Sequence, residues 1–177
     1  MRILVDIDGV LAEQVPPALA RYNAAQGTVY TKADIVTYNE PIGDTDISAL
    51  IAAVDVEHMP VVRGARAAMK TLTEKHRVIL VTARPGALML ATERWMMKHD
   101  IPFYGALTGI KDKARVVGDI LIDDYTGHVN AFGVTGRKAI LFDQPWNRND
   151  KLHPLVTRCC GWSEVLETIR EWEVMHP

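Results

Sequence analysis

The sequence predicts an α/β fold built on a mostly parallel sheet. Three observations lead there. Short apolar, β-branched runs recur along the chain and alternate with segments of helical periodicity. The runs are nearly continuous in apolar residues, the pattern of strands buried on both faces. Several of them end in polar or acidic residues, at the edge of the sheet where such folds bind ligands.

Taken in order, the first run is RILVDI (2–7). The second is RVILVTA (77–83), and FYGALTG (103–109), DILIDD (119–124) and KAILFD (138–143) follow. GARAAMKTLTEKH (64–76) is rich in helix formers with apolar spacing near 3.6 residues. GALMLATERWMMKHD (86–100) reads as a second helix, with Leu88, Leu90, Ala91, Trp95 and Met97 as its buried stripe. GWSEVLETIREWE (161–173) is a third, with Ser163 placed to cap it. Strand–helix alternation of this kind implies right-handed crossovers and a three-layer, Rossmann-like core.

The segment between the first two runs, residues 8–76, is far longer than one crossover helix requires. Within it VPPALARYNAAQG, TKADIVTYN and DTDISALIAAVDV are helical stretches separated by Gly and Pro. Residues 14–60 are therefore expected to form a small helical cap above the carboxyl ends of the strands. Residues 1–13 and 61–177 are expected to form the core.

The chain has 177 residues, 48% hydrophobic and 24% charged, the profile of an ordinary globular domain. A formal net charge of −2 excludes a strongly basic surface, so long nucleic acid is not the expected partner. The two cysteines, Cys159 and Cys160, are adjacent and have no metal-type spacing, which fits a reduced, cytoplasmic setting. No apolar run reaches transmembrane length, and the first strand begins at once, so neither membrane span nor leader is expected. A homodimer is an open alternative to a monomer.

The chemistry gathers at the strand ends. Asp6 and Asp8 close the first run and are followed by Gly9. Residues i and i+2 of an extended chain point to one side, so both carboxylates can face one reacting group. Gly9 allows a sharp turn without a Cβ in the site. Thr82, with Ala83 and Arg84, ends the second run in LVTARPG. Lys113 precedes the fourth run, with Lys111 as a competitor, and Asp123 and Asp124 close it. Clustered carboxylates repel unless a cation sits among them, and oxygen-only ligands suit Mg²⁺. A lysine, a hydroxyl and backbone N–H groups suit a phosphate. Arg84 could reach that phosphate or pair on the surface.

The order D-x-D-G-V-L, then a strand ending in Thr, then Lys, then I-D-D resembles the haloacid dehalogenase superfamily of aspartate-nucleophile phosphatases. The resemblance covers residues 2–143. A closer resemblance is to the 5'(3')-deoxyribonucleotidase family, in DKARVVGDILIDD, in AILFDQPWNR and in the span Arg158 to Glu164. VTARP stands where eukaryotic members tend to have Thr-Ser-Pro.

This resemblance implies that Asp6 is the nucleophile and Asp8 the general acid/base. It implies that Thr82 and Lys113 hold the phosphate. Mg²⁺ would be bound by Asp6, the backbone carbonyl of Asp8 and one aspartate of the final pair, with Asp124 preferred to Asp123. The implied substrate is a deoxyribonucleoside monophosphate. Tyr22, Tyr30 and Tyr38 in the cap, and Trp146 in DQPWNR, could stack on its base or pack in small cores. A sugar phosphate or a 3'-phosphorylated polynucleotide end is the alternative substrate. A receiver-like signalling domain is the alternative of another class, although receivers place the phosphorylated aspartate on a middle strand.

Overall fold

The computed structural model describes residues 1–37 and 41–175. The strands are β1 (Arg2–Val5), β2 (Arg77–Val81), β3 (Gly105–Leu107), β4 (Ile120–Asp123), β5 (Lys138–Phe142) and β6 (Val156–Cys159). They form one sheet, parallel throughout, in the order β3-β2-β1-β4-β5-β6. The chain builds outward from β1 to one edge, then returns to lay β4, β5 and β6 on the other side. The order therefore reverses between β1 and β4, and in such sheets the crevice for a ligand opens at that point.

Alternation along the central strand sorts side chains between two faces. Ile3 and Val5 join the core shared with α3 (Ala65–Lys75), α4 (Met89–Lys98) and α6 (Trp162–Met175). Leu4 points the other way, into a cluster with Leu121, Leu141 and Val129 and Phe132 of α5 (Thr126–Val134). Helices on both faces give the expected three layers.

Several elements differ from expectation. β6 and α5 carry no strong sequence signal and complete the second half of the sheet. In α4 the buried face consists of Thr92, Trp95 and Met96, whereas Leu90 and Met97 are exposed. The indole of Trp95 fixes this rotation, because its Nε1 donates to the Met59 carbonyl at 2.7 Å. α6 begins at Trp162, which places Ser163 inside the helix rather than at its cap.

Between β1 and α3 the chain forms α1 (Val15–Gln26), a single 3-10 turn at Lys32–Asp34, α2 (Ile47–Ala52) and a second 3-10 turn at Val56–His58. Over the described residues 31–37 the expected helix gives way to the short turn, because the Asp34 carboxylate accepts from both the backbone N–H and the hydroxyl of Thr31 and closes it locally. Tyr38 lies outside the described residues. Val15, Leu19, Ile35, Ile42 and Ile47 make a separate apolar cluster. Trp146, from the turn after β5, completes that cluster. Val56 and Met59 belong to the main core instead.

Candidate active site

The carboxyl ends of β1 and β4 lie side by side, with Val5 paired to Ile122 and the Asp6 N–H donating to the Ile122 carbonyl at 2.9 Å. This register sets Asp6 beside the Asp123–Asp124 pair. A cavity of about 400 Å³ opens over them. Asp6, Asp8, Thr82, Ala83, Lys113, Asp123 and Asp124 all line it. Its size suits a small ligand. A larger cavity, about 710 Å³, opens between Lys32, Arg63, Arg148 and Ser163 and contains none of these aspartates.

The loop after β1 presents the first two carboxylates. The Ile7 carbonyl accepts from the N–H groups of Leu11 and Ala12, at 2.8 Å each, and folds the chain back tightly. Gly9 makes the turn at φ 74°. A Cβ there would stand 2.2 Å from Asp124 Oδ2, so the glycine serves both the turn and the close approach. Gln144 Nε2 donates to the Gly9 carbonyl at 2.5 Å and holds this loop against the end of β5.

Lys113 is 1% exposed. Its Nζ lies 2.8 Å from Asp6 Oδ1 and 2.6 Å from Asp123 Oδ2. Burial works against its charge, but Asp6 and Asp123 hold its pKa above the ordinary lysine value. Lys111 is exposed and does not line the cavity. Asp123 is engaged on both oxygens. Oδ1 accepts from the Tyr125 N–H at 2.9 Å, and Oδ2 meets both Lys113 and His128 Nδ1, the latter at 3.0 Å. Burial alone would raise its pKa, yet Lys113 and His128 hold it below the usual carboxylate value.

Asp124 is placed differently. It is 5% exposed, and its Oδ2 has no hydrogen-bond partner among the described residues. Burial, followed by the charges of Asp123 and Asp6, pushes its carboxyl well above the ordinary range. Burial likewise pushes Asp6 up to about 7 despite Lys113, with Asp123 and Asp8 adding to the rise. Asp6, Asp123 and Asp124 each offer an oxygen within 4.8 Å of the others. An orphaned buried oxygen, three converging hard donors and a glycine that leaves room beside them suit a divalent cation such as Mg²⁺.

Thr82 follows β2 directly, with its hydroxyl accepting from the Arg84 N–H at 3.1 Å. Arg84 does not line the cavity. Its guanidinium turns to Asp8, with Nε 2.9 Å from Oδ2 and Nη2 2.6 Å from Oδ1. Trp146 is 6% exposed within the cluster of the segment between β1 and β2. Tyr22 donates its hydroxyl to the Ile42 carbonyl at 3.0 Å and its ring lies 6.0 Å from that of Tyr30. Neither tyrosine is among the residues lining the aspartate cavity. Gln14, Ser48, Tyr125 and His128 do line it and went unread in the sequence. Tyr125 follows the double aspartate directly and His128 lies three residues further on, which was the available signal.

A family model described as 5' nucleotidase, deoxy (pyrimidine), cytosolic type C protein matches residues 1–173. The chain belongs to this nucleotidase family. Putative nucleotidase BH1399 of Halalkalibacterium halodurans is 31% identical over 107 residues, which cover 56% of the chain. That match spans 53% of the relative's length, so the chain covers about half of it. Among solved structures, a haloacid dehalogenase-like hydrolase of Xanthomonas campestris superposes with a TM-score of 0.65 at 15% identity, over 99% of this chain and 96% of its own. The HAD-hydrolase YfnB of Bacillus subtilis, solved with magnesium, gives 0.62 at 12% identity, over 96% and 98%. A β-phosphoglucomutase-type protein of Thermotoga maritima gives 0.59 at 17%, over 96% and 98%. At these identities the likeness shows a shared fold. The nucleotidase family thus has the haloacid dehalogenase-type architecture in this chain. No helix among the described residues is long and apolar enough to cross a membrane.

Proposed function

We propose that the chain is a Mg²⁺-dependent phosphatase that hydrolyses a small phosphomonoester, a deoxyribonucleoside monophosphate, through an aspartyl-phosphate on Asp6. The observation that carries this reading is the convergence of Asp6, Asp8, Thr82, Lys113 and Asp124 on one cavity. Membership of the nucleotidase family supports the substrate class.

In the first step an Asp6 oxygen attacks phosphorus while the ester P–O bond breaks. The leaving oxygen takes a proton from Asp8. In the second step Asp8 accepts a proton from water, whose oxygen attacks phosphorus. The Asp6–phosphorus bond breaks, and inorganic phosphate leaves. The two roles require two carboxylates beside one phosphorus, and the i, i+2 spacing supplies them. Thr82, the backbone at Ala83 and Lys113 hold the phosphoryl oxygens. Asp6, the Asp8 carbonyl and Asp124 would hold Mg²⁺, with Asp123 orienting Lys113 and His128. Bound there, the ion would neutralise phosphoryl charge and keep the carboxylate of Asp6 ionised.

Residues 14–60 act as the cap in this reading. Cys159 and Cys160 are both free thiols, which supports a cytoplasmic setting. The test is phosphate release by the purified chain, with Mg²⁺ and with chelator, from deoxynucleoside monophosphates, sugar phosphates and p-nitrophenyl phosphate. Mg²⁺-dependent release with preference for the nucleotides is expected. Preference for sugar phosphates would overturn the substrate assignment, and no release from any ester would overturn the phosphatase.

A further inference from the structure

We infer that Arg84 is a positioning residue for Asp8 rather than a phosphate ligand. The inference rests on the phosphatase reading above and assigns a task within it.

Arg84 is 7% exposed, and every nitrogen of its guanidinium is engaged. Nε and Nη2 grip the two oxygens of Asp8. Nη1 donates to the Thr92 hydroxyl at 3.0 Å, and Nη2 also lies 3.3 Å from the Met59 sulfur. The main chain is tied as well. The Arg84 N–H reaches Thr82 Oγ1, and its carbonyl accepts from the Gly109 N–H at 2.8 Å. Four of the five N–H donors of the guanidinium are thus taken by protein groups, which leaves it a poor ligand for a phosphoryl oxygen. Its absence from the cavity wall agrees with that. Lys113 is the cation that does line the cavity.

The planar fork of an arginine matches a carboxylate in two parallel hydrogen bonds, so it fixes the plane of the carboxylate as well as its place. Asp8 sits on a turn at the end of a strand, and its side chain is 21% exposed. Both of its side-chain oxygens accept from Arg84, Oδ2 from Nε and Oδ1 from Nη2. Thr92 on α4 and Met59 before α3 brace the guanidinium from behind. Asp8 is therefore held by a scaffold drawn from the end of β2, from α4 and from the chain that enters α3. Proton transfer to a leaving oxygen depends steeply on that placement.

The test separates leaving groups. An alkoxide leaving from a nucleotide needs the proton of Asp8, whereas p-nitrophenolate leaves without it. Arg84→Lys and Arg84→Met are assayed for kcat/KM on both esters, because kcat/KM reports the steps up to loss of the leaving group. For Arg84→Met the nucleotide value should fall by about 10²-fold, the scale of a misplaced catalytic group. The aryl ester value should fall less than about threefold. Arg84→Lys, which keeps charge without the fork, should fall between wild type and Arg84→Met on the nucleotide. Inhibition by inorganic phosphate should not change. Arg84→Met should add nothing further in an Asp8→Asn background, since residues acting through one another are not additive. Equal losses of kcat/KM on the two esters, weaker inhibition by phosphate, or an additive loss on top of Asp8→Asn would each overturn the inference. A wild-type chain that hydrolyses neither ester would instead overturn the phosphatase reading itself.

Discussion

Lys113 and Asp6 form an ion pair at 2.8 Å in which the ammonium is almost wholly removed from water. Such a pair is poor evidence of stability by itself, but breaking it strands a charge in a low-dielectric site. Lys113→Met should destabilise the metal-free protein by about 3–5 kcal/mol, the usual cost of removing one partner of a buried pair. It should also abolish nucleotide hydrolysis. Chemical denaturation in EDTA checks the first outcome, and a loss under about 1 kcal/mol would contradict it.

Asp6→Asn should leave no measurable turnover and no covalently bound phosphate. The same substitution should stabilise the metal-free fold at pH 8, because it replaces a charge that burial disfavours by a neutral group of the same shape while Lys113 keeps its pair with Asp123. Radiolabelled substrate and thermal denaturation measure the two effects. More than a few per cent of wild-type activity in the folded variant would refute the nucleophile assignment.

The two neighbouring aspartates should separate by readout. Asp124→Ala should weaken Mg²⁺ binding by tenfold or more, a loss on the order of 1.4 kcal/mol, with little loss of metal-free stability. Among the described residues its Oδ2 has no hydrogen-bond partner to lose. Asp123→Ala should cost more in stability, since His128 and the Tyr125 N–H lose this acceptor and Lys113 loses one of its two carboxylate partners. Calorimetric Mg²⁺ titration alongside denaturation distinguishes them, and a reversed order would exchange the assignments.

Stability of the metal-free chain should fall as pH rises. The Asp6 carboxyl is held at about 7 in the fold, above the ordinary 3.8 of an unfolded chain. A group raised in this way contributes fully below its unfolded value and loses that contribution as pH climbs through the folded value. Asp124, raised by burial, shifts stability in the same direction. Mg²⁺ should therefore raise Tm more at pH 8 than at pH 5, where protons compete for the same oxygens. Equal Mg²⁺ shifts at both pH values would contradict the linkage.

Tyr125 is 52% exposed, lines the aspartate cavity and has its ring 4.9 Å from that of His128. Tyr125→Ala should lower kcat/KM for a deoxynucleotide by about tenfold relative to a minimal phosphate ester, the scale of one lost base–aromatic stack. Tyr22→Phe and Tyr30→Ala should leave that ratio unchanged. A shift with Tyr22 or Tyr30 and none with Tyr125 would place the base on the other side.

Legibility in the sequence followed local signal. β1, β2, β4 and β5 were readable because each is an apolar run, and their polar ends named Asp6, Thr82 and Asp123 directly. β6 was not, since its exposed Thr157 and half-buried Arg158 break the apolar run at the sheet edge. α5 carries Gly127 and Gly133 and few strong helix formers, so it owes its existence to packing Val129 and Phe132 on the sheet. Met96 and Met97 could not be told apart until Trp95 was anchored by a carbonyl at Met59. The pairing of Arg84 with Asp8, 76 positions apart, and of Gln144 with Gly9, 135 apart, has no local trace at all.

Trp146 has a consequence for anyone wishing to graft a different substrate preference onto this chain. Its indole belongs by sequence to the turn after β5 and by packing to the cluster of Val15, Leu19, Ile35, Ile42 and Ile47. Transplanting residues 14–60 alone would leave that ring facing a foreign surface or open water, at roughly 1.5–3 kcal/mol for a large apolar side chain. The same turn carries Asn147, which donates to the carbonyls of Asp124 at 2.8 Å and Phe142 at 2.9 Å. A mismatch at the graft would thus be transmitted to the main chain of a candidate metal ligand. Chimeras that exchange residues 14–60 together with 144–148 should therefore fold with the recipient's chemistry intact, where exchange of 14–60 alone should not.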